Sequence, residues 1–473
     1  MFSTSPGISR RRWLAGLGMA APVGLRNVSA RPNILLILAD DLAWHDCEPY
    51  GSRQVRTPNL ARLAREGMCF DNMFTATAMC APTRQQLYTG MFPVRNGAFP
   101  NHSRVYDGVR SIPHHFSALG YRVGLMGKQH YGPPECFPFE IIGKTGADPD
   151  PARLDDLRRF LTRDRKQPFF AVVASHQPHT PWDQGDQAAY PADSLKPPPY
   201  LVDCPAMRQA LSRYYAEVTY FDSQVGAVLR LLDDSGLADN SIVIVSSEQG
   251  APFFGKWTCY DAGLKVAFIV RWPGRVKPGS RNRALTQYVD VVPTLLDAVG
   301  ADWRVSTGRP DAHGRHGFDG ASFLPVLLGK KETHGEFVYG VHTTRGINAG
   351  SSSYPIRSVR SIRYKYIRNL NWESEFSNVV TRGEGAFKGL LKAWAEAGPE
   401  GARRAAFYRR RPAEELYDIA ADPYELVNLA GQPRLREVQA ELRRRLDQWM
   451  AQQGDRGVET ELEADSRRLR GRE

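Results

Sequence analysis

The sequence predicts an α/β protein: a doubly wound, mostly parallel sheet followed by a smaller C-terminal α+β subdomain. Short apolar runs alternate with amphipathic segments from residue 31 to about residue 330, as strands and helices do in such a sheet. Several runs are apolar at every position, which is typical of strands buried on both faces. A chain of 473 residues can form one large domain and a smaller one. We place the two domains at residues 31–335 and 336–473.

The elements of the first domain follow from their periodicity and their end signals. Pro58 and Gly67 mark the start and stop of one helix, and Pro82 and Gly90 mark those of the next. Residues 207–234 carry large apolar side chains at helical spacing, so we expect a long helix that faces the core. The other helices are predicted over 112–119, 152–163 and 290–299. Strands are predicted over 33–38, 69–74, 121–126, 169–174, 241–246 and 266–271, with a proline-rich loop over 181–205.

The pattern changes after about Val338. Residues 354–369 alternate Ser and Arg with apolar residues, which predicts antiparallel strands, and 415–418 adds another short strand. Residues 435–450 form an Arg-rich amphipathic helix, and the charged residues from about Gly454 onward are expected to be frayed.

The net charge of +11 limits the classes of partner. A basic surface attracts a polyanion such as nucleic acid, acidic lipid or a sulfated glycan; the alternative is an Arg-rich surface that is merely solvated. Basic motifs with interleaved aromatic residues are absent, so nucleic acid is not the expected partner. Six cysteines are too few for a disulfide scaffold.

The first 30 residues are predicted to be a targeting segment. Residues 9–14, Ser-Arg-Arg-Arg-Trp-Leu, resemble a twin-arginine export signal. The apolar run that follows is too short for a transmembrane helix and ends in small residues near Ala30. We expect cleavage near Ala30 and export to a bacterial periplasm; the alternative is an uncleaved basic anchor. No other apolar run is long enough to span a membrane.

Residues 79–90 place Cys80 at the N-terminus of a helix, where backbone N–H groups and the helix dipole favour an anion or a thiolate. Arg84 follows one turn later on the same side and adds a fixed cation. On this stretch alone, a buried cysteine that begins an ordinary helix is an equal alternative.

Four predicted strands end in ionisable or metal-binding residues. In open α/β sheets, ligands bind beyond the carboxyl ends of the strands, so we expect one shared crevice. The residues are Asp40 and Asp41, Lys128 and His130, His176 and His179, and Glu248 and Gln249. The carboxylate and amide oxygens suit Ca²⁺, with Mg²⁺ as the alternative, rather than zinc. Three crowded carboxylates would repel one another, so we expect a cation there; alone, Asp40-Asp41 is equally a helix cap.

Positive and proton-donating groups complete the predicted crevice. His130 and His179 could donate protons or hydrogen bonds, although a His-x-x-His loop alone more often reflects packing. Lys128, Lys256 and Arg84 would bind a compact anion and its pentacoordinate transition state.

Several segments, in order along the chain, resemble the type I sulfatase family. They are Cys80-x-Pro82-x-Arg84 with Leu87-x-Thr89-Gly90, residues 33–41, 57–60, Gly127-Lys128-Gln129-His130, His176-Gln177-Pro178-His179, 255–263, and 415–429. The family usually has Asp-Asn or Asp-His where this chain has Glu248-Gln249, and both residues keep oxygen donors. The resemblance implies an alkaline-phosphatase-like fold with a small C-terminal sheet.

The resemblance also implies a mechanism. A formylglycine-generating enzyme would oxidise Cys80 to formylglycine, whose hydrate attacks sulfur while a metal ion held by Asp40, Asp41, Cys80, Glu248 and Gln249 orients it. His179 or Lys256 would protonate the leaving group, and His130 would accept the proton when sulfate is expelled.

Further likenesses point to the N-sulfoglucosamine sulfohydrolase (heparan N-sulfatase) branch of the family. They are residues 109–113, 136–139 and 353–360. They imply a sulfated carbohydrate substrate of the heparan type, with His176 and Arg357 in contact with it; for Arg357 a surface position on a subdomain strand is an equal alternative. Two other functions stay open: a phosphodiester or phosphonate monoester hydrolase of the same superfamily, and a non-catalytic glycan-binding relative.

Overall fold

The computed structural model describes residues 31–468, and the predicted export signal therefore lies outside the described residues. The described chain from Pro32 onward forms one compact unit. The strands are β1 Asn33–Ala39, β2 Met68–Phe70, β3 Met73–Phe74, β4 Arg122–Gly127, β5 Glu140–Ile141, β6 Phe169–Ala174, β7 Ser241–Ser247, β8 Lys265–Val266, β9 Phe268–Arg271, β10 Ser280–Asn282, β11 Thr286–Gln287, β12 Val338–His342, β13 Ile356–Arg360, β14 Tyr364–Asn369 and β15 Glu414–Asp418.

Fourteen α-helices accompany these strands in the described residues. They are α1 Pro58–Glu66, α2 Cys80–Thr89, α3 Pro93–Asn96, α4 Ile112–Ser117, α5 Asp155–Thr162, α6 Pro205–Asp234, α7 Asp261–Leu264, α8 Val291–Ala298, α9 Leu324–Leu327, α10 Val379–Arg382, α11 Leu390–Glu396, α12 Pro399–Arg409, α13 Arg436–Gln453 and α14 Val458–Leu462. Short 3₁₀ turns, such as Pro134–Cys136, link several of them. No helix in this part of the chain has the length and apolarity that a membrane span requires.

The main sheet has eight strands in the order β10-β2-β9-β7-β1-β6-β4-β5. Strands β7, β1, β6 and β4 are adjacent and parallel, while β9 runs antiparallel to both of its neighbours. The prediction of a mostly parallel, doubly wound sheet is confirmed. The side chains of β1 alternate between two cores: Leu35 packs with α1, α5 and α6, and Leu36 packs with α2, α4 and α8.

The C-terminal region holds an antiparallel four-stranded sheet in the order β12-β13-β14-β15. Helix α13 covers it and buries Leu442, Leu446 and Trp449. The expectation of a frayed end from Gly454 is wrong, because α14 follows and buries the side chain of Glu461. The carboxylate of Glu461 accepts hydrogen bonds from the backbone of Thr344, at 3.0 Å, and of Arg345, at 3.1 Å, which anchors this segment.

Two segments predicted as single strands are each divided between sheets. Residues 69–74 form β2 in the main sheet and β3 in a three-stranded sheet, and residues 266–271 likewise contribute β8 and β9. The chain crosses from one sheet to the other within each segment: at Asp71-Asn72 in the first, and at Ala267, inside an apolar run that gives no sign of it, in the second.

Candidate active site

The four adjacent parallel strands deliver their terminal residues to one edge of the sheet, as predicted. Asp40 and Asp41 follow β1, Lys128 follows β4, His176 follows β6, and Glu248 follows β7. Backbone hydrogen bonds lock these ends together: the Asp40 N–H donates to the Gln177 carbonyl at 2.9 Å, and the Glu248 N–H donates to the Ala39 carbonyl at 3.0 Å.

The backbone at two strand ends adopts the left-handed conformation, which turns the following side chains into the site. Asp41 has φ 66°, an uncommon value for a residue with a Cβ. Gly127 has φ 94°, and a Cβ there would lie 1.9 Å from the Ala174 carbonyl oxygen. Only glycine fits this position, which directs Lys128 toward Asp40.

Helix α2 carries Cys80 and Arg84 and is buried along its whole length. Two of its polar side chains bond to neighbouring segments: the Gln85 amide donates to the Ser103 carbonyl at 2.9 Å, and the Thr83 hydroxyl donates to the Glu248 carbonyl at 3.1 Å. The second bond ties the helix directly to the carboxylate site. Cys80 is the first residue of α2, and Gly90 ends the helix with φ 64°, as the sequence indicated.

Three buried carboxylates and Cys80 converge at the floor of the site. One ligand atom from each of Asp40, Asp41, Cys80 and Glu248 lies within 4.8 Å of every other. The Cys80 Sγ is 3.6 Å from Asp40 Oδ1 and 3.6 Å from Gln249 Nε2. The Gln249 amide nitrogen also lies 2.6 Å from Asp41 Oδ1. The predicted metal ligands are therefore brought together.

Each carboxylate has a cationic side-chain partner. Arg84 Nε lies 2.5 Å from Glu248 Oε2, Lys256 Nζ lies 2.8 Å from Asp41 Oδ2, and Lys128 pairs with Asp40. The inference that repulsion among the carboxylates by itself demands a metal ion is therefore wrong, because the chain supplies three compensating charges. A divalent cation would instead give this balanced site a positive charge, which favours binding of an anion.

The donor set nevertheless fits a hard divalent cation. Three carboxylates and an amide supply oxygen ligands, and the Gln249 Oε1 is buried without a hydrogen-bond partner among the described residues. A buried acceptor without a partner is costly, and coordination would satisfy it. Asp40, Asp41 and Glu248 are the residues that would hold the ion. Gln249 turns its amide nitrogen toward Asp41 and Glu248, so it would join them through Oε1 once the amide group rotates.

Neighbouring charges, acting against burial, separate the ionisation of the two central carboxyl groups. Burial raises the pKa of Glu248 to about 7 although Arg84 opposes the rise. Burial alone would also raise the pKa of Asp40, but Lys128, His179 and Arg84 hold it well below its usual value. Burial, with the charge of Glu248, raises the pKa of the Cys80 thiol.

A cleft of about 620 Å³ opens above this floor. Seven of the predicted residues line it, namely Asp41, Cys80, Lys128, His130, His176, His179 and Lys256. Asp40, Arg84, Glu248 and Gln249 are buried beneath them.

His179 presents one ring nitrogen to the cleft. Its Nδ1 lies 2.6 Å from the Thr180 carbonyl, which can only accept, so Nδ1 carries the hydrogen and Nε2 is left to act in the cleft. Nε2 is 3.7 Å from Asp41 Oδ2. Lys256, which is 3% exposed, is more enclosed than His179, whose side chain is 36% exposed.

The prediction that Arg357 contacts substrate is wrong. The side chain is fully buried inside the C-terminal sheet, and its Nη2 lies 3.0 Å from Asp455 Oδ1. Its Nη1 donates to the His342 carbonyl at 2.9 Å. Arg357 therefore holds the subdomain together and does not line the cleft.

Two residues that no sequence pattern singles out, His102 and Asp148, contact predicted site residues. His102 lines the cleft, and its Nδ1 lies 3.0 Å from His130 Nε2. Asp148 binds both the backbone N–H of His176, at 2.7 Å, and its Nδ1, at 3.0 Å. Both lie in irregular loops, away from any strand end; a left-handed backbone at His102, φ 53°, is visible only in the structure.

Walls from both parts of the chain complete the cleft. Trp257 and Tyr131 come from the first domain, while Asn348, Val379 and Phe387 come from the C-terminal region. These side chains offer apolar and amide surface to a ligand bound above Cys80.

Comparison with known proteins agrees with this geometry. Residues 32–301 match the sulfatase family model, and residues 249–379 match the model of the N-sulphoglucosamine sulphohydrolase C-terminal region. The chain is 35% identical over 435 residues to an ulvan-active sulfatase of Formosa agariphila, covering 90% of this chain and 82% of that protein. It is 32% identical over 467 residues to human N-sulphoglucosamine sulphohydrolase, covering 89% of this chain and 90% of that protein.

The fold agrees as well. A protein solved in complex with its substrate D-glucosamine-2-N,6-O-disulfate superposes with a TM-score of 0.70 at 21% identity, covering 90% of this chain and 99% of that chain. Sulfatases generally use formylglycine and a divalent metal ion, and the chain has a cluster of acidic groups with Cys80 that could hold such an ion. The chain belongs to the type I sulfatase family, the hydrolases of sulfuric esters and sulfamates, and is similar to the N-sulphoglucosamine sulphohydrolases within it.

Proposed function

We propose that the chain removes sulfate from an amino sugar of an acidic glycan, through formylglycine formed from Cys80 and with Ca²⁺ in the carboxylate site. The observation that carries the proposal is the position of Cys80. It begins α2 at the floor of the cleft, between three carboxylates and three cations. Its thiol has a raised pKa and is a poor nucleophile, which favours the modified residue as the reacting group.

Formylglycine hydrate supplies a nucleophilic hydroxyl, and a bound divalent cation would orient it and bind sulfate oxygen. The chain's own residues do the rest. Lys128 and Lys256 present ammonium groups at the floor, where they stabilise negative charge on the sulfuryl oxygens. Arg84 is fully buried and fixes Glu248 rather than meeting substrate.

We assign the leaving-group proton to His179: because Nδ1 already holds the ring hydrogen, Nε2 would take the proton that the attacking hydroxyl loses and pass it to the leaving group. Its Nε2 faces the cleft, whereas Lys256 is paired with Asp41 and its pKa is raised, with Asp41 opposing the effect of burial. His130 is placed to accept the proton released when sulfate is expelled, and His102 is bonded to it at the cleft surface.

The substrate class is supported by similarity and by charge. The C-terminal match is to N-sulphoglucosamine sulphohydrolase, and a fold neighbour binds a glucosamine disulfate. A net charge of +11 suits an acidic glycan. Export to the periplasm, directed by residues 1–30, would bring the enzyme to such a polymer.

Sulfate release from a substrate panel tests the proposal. The panel holds glucosamine sulfated at N or at 6-O, a uronic acid sulfated at 2-O, an aryl sulfate, and a phosphonate monoester with the same aryl group. We expect sulfate release from at least one glucosamine derivative at higher kcat/KM than from the aryl sulfate, and none from Cys80→Ala. Faster turnover of the phosphonate monoester than of every sulfated compound would favour a phosphonate hydrolase instead.

A series of aryl sulfates tests the assignment of His179. A general acid matters most when the leaving group is a poor one. His179→Ala should therefore lose about 10²–10⁴-fold with a basic leaving group and little with an acidic one. Lys256→Met is the matched control, and it should lose activity equally across the series; the opposite pattern would assign the proton to Lys256.

A further inference from the structure

Three arginines gather around one tyrosine beside the cleft. The guanidinium carbon of Arg309 lies 3.6 Å from the centroid of the Tyr106 ring, and that of Arg467 lies 3.9 Å from it. Two guanidinium groups this close to one centroid would clash on a single face, so they occupy opposite faces. Arg104 lies beside them. We call Arg104, Tyr106, Arg309 and Arg467 the arginine surface.

The arginine surface is held in place by backbone contacts. Arg467 donates from Nη2 to the Arg104 carbonyl at 2.8 Å and from Nε to the Gly97 carbonyl at 3.1 Å. A Cβ at Gly97 would lie 2.7 Å from the Tyr106 ring and 2.9 Å from Arg467 Nη2, so glycine is required there. Three distant segments of the chain are thus fixed together, and the charges are positioned before any ligand arrives.

These positive charges have no carboxylate partner within ion-pair distance among the described residues. The acidic groups in the neighbouring groove are engaged elsewhere: Asp311 pairs with Arg315 at 2.7 Å, and Glu463 pairs with Arg456. Partial burial and the charges of Arg104 and Arg309 lower the pKa of Arg467, with some relief from Asp107. An uncompensated cluster of this kind attracts an external anion.

The arginine surface is close to the cleft along the chain. Asn101 and His102 line the cleft, and Arg104 follows two residues later. An extended residue spans about 3.3 Å, so the chain runs only about 7 Å from His102 to Arg104. A groove of about 370 Å³, lined in part by Tyr106 and Arg309, continues beyond it.

We propose that the arginine surface binds the acidic chain of a sulfated polysaccharide whose reacting sugar occupies the cleft. Guanidinium groups recognise sulfate and carboxylate through paired N–H donors. Closeness to the cleft favours the substrate polymer over an unrelated polyanion. The inference rests on the proposed function and adds that the enzyme acts on a polymer, not only on a free sugar.

Binding and turnover are measured separately to test this. Arg104→Gln/Arg309→Gln removes two charges of the arginine surface and leaves Arg467 with its backbone bonds. Arg158→Gln/Arg230→Gln, on the exposed faces of α5 and α6, removes two charges elsewhere and is the matched control. Each pair is also made in the Cys80→Ala background, which binds without turnover. The probes are a size-defined heparin decasaccharide and the monosaccharide glucosamine N-sulfate, at low and high salt.

We expect the first pair to weaken decasaccharide binding at low salt by about tenfold, since two exposed charges that face the polyanion are lost. High salt should remove the difference, and monosaccharide turnover should match wild type. Decasaccharide affinity equal to that of the control pair would overturn the proposal. The proposal would also be overturned if the first pair lost binding to anionic phospholipid vesicles or to duplex DNA by the same factor as binding to the decasaccharide. If wild type releases no sulfate, the proposed function fails, while the binding comparison still decides the role of the surface.

Discussion

Replacing Arg357 by methionine removes a buried cation from the C-terminal sheet and leaves the Asp455 carboxylate without its partner. Arg357 is fully buried, donates to two backbone carbonyls at 2.9 and 3.0 Å, and holds Asp455 in a two-pronged ion pair. Asp455 in turn accepts the Gly457 N–H at 2.9 Å, which begins the turn into α14. The pair therefore joins β13 to the C-terminal segment.

The expected cost is about 3–5 kcal/mol, because breaking a buried ion pair from one side leaves an uncompensated charge. Arg357→Lys should also be destabilised, since an ammonium group cannot reproduce the fork of donors. Arg357→Met/Asp455→Leu should recover part of the loss, since it buries no unpaired charge.

Urea unfolding at neutral pH, followed together with kcat and KM, measures both possible roles. We expect a large fall in the urea midpoint and an unchanged KM in the fraction that stays folded. An unchanged midpoint with a KM raised tenfold or more would refute the structural role and restore Arg357 as a substrate contact.

Three other predictions concern pH, positioning and metal. Burial lowers the pKa of His115 to about 4, so between about pH 6.5 and pH 4 only the unfolded chain binds this proton. From neutral pH to about pH 5, wild type should therefore lose about 2 kcal/mol of unfolding free energy. His115→Gln should not lose this part, as urea titrations at neutral pH and at about pH 5 will show. Asp148→Asn should lower kcat/KM about tenfold, because it releases His176 from a charge-assisted hydrogen bond. Asp150→Asn, in the same loop, should leave kcat/KM unchanged. Equal effects of the two substitutions would contradict the positioning role of Asp148. Chelation should lower the melting temperature, and Ca²⁺ added at a hundred times its Kd should restore about 2.7 kcal/mol of unfolding free energy. The response should be weaker in Glu248→Gln. A melting temperature that changes with neither chelator nor Ca²⁺ would contradict the metal site.

The sequence predicted the placement of the site well, because topology alone decides it. Asp40, Lys128, His176 and Glu248 each follow a strand, and parallel neighbours end at the same edge of a sheet. That inference needs only the apolar runs and the residue after each run.

What a side chain meets in the folded protein was harder to predict. Arg357 stands on a strand, but its partner Asp455 comes 98 residues later, so neither its burial nor its pairing shows in a local pattern. The same holds for the charge balance of the site, where Lys256 and Asp41 are 215 residues apart. Asp148 and His102 act from loops whose course is set by tertiary contacts, for which periodicity carries no signal.

The state of residue 80 is the most direct test of the account. Mass spectrometry of the tryptic peptide that contains residue 80, taken from preparations of different specific activity, should show formylglycine in place of Cys80. We expect sulfate release to rise in proportion to the modified fraction, with none from Cys80→Ala. Full activity in a preparation whose Cys80 is entirely unmodified would contradict the account.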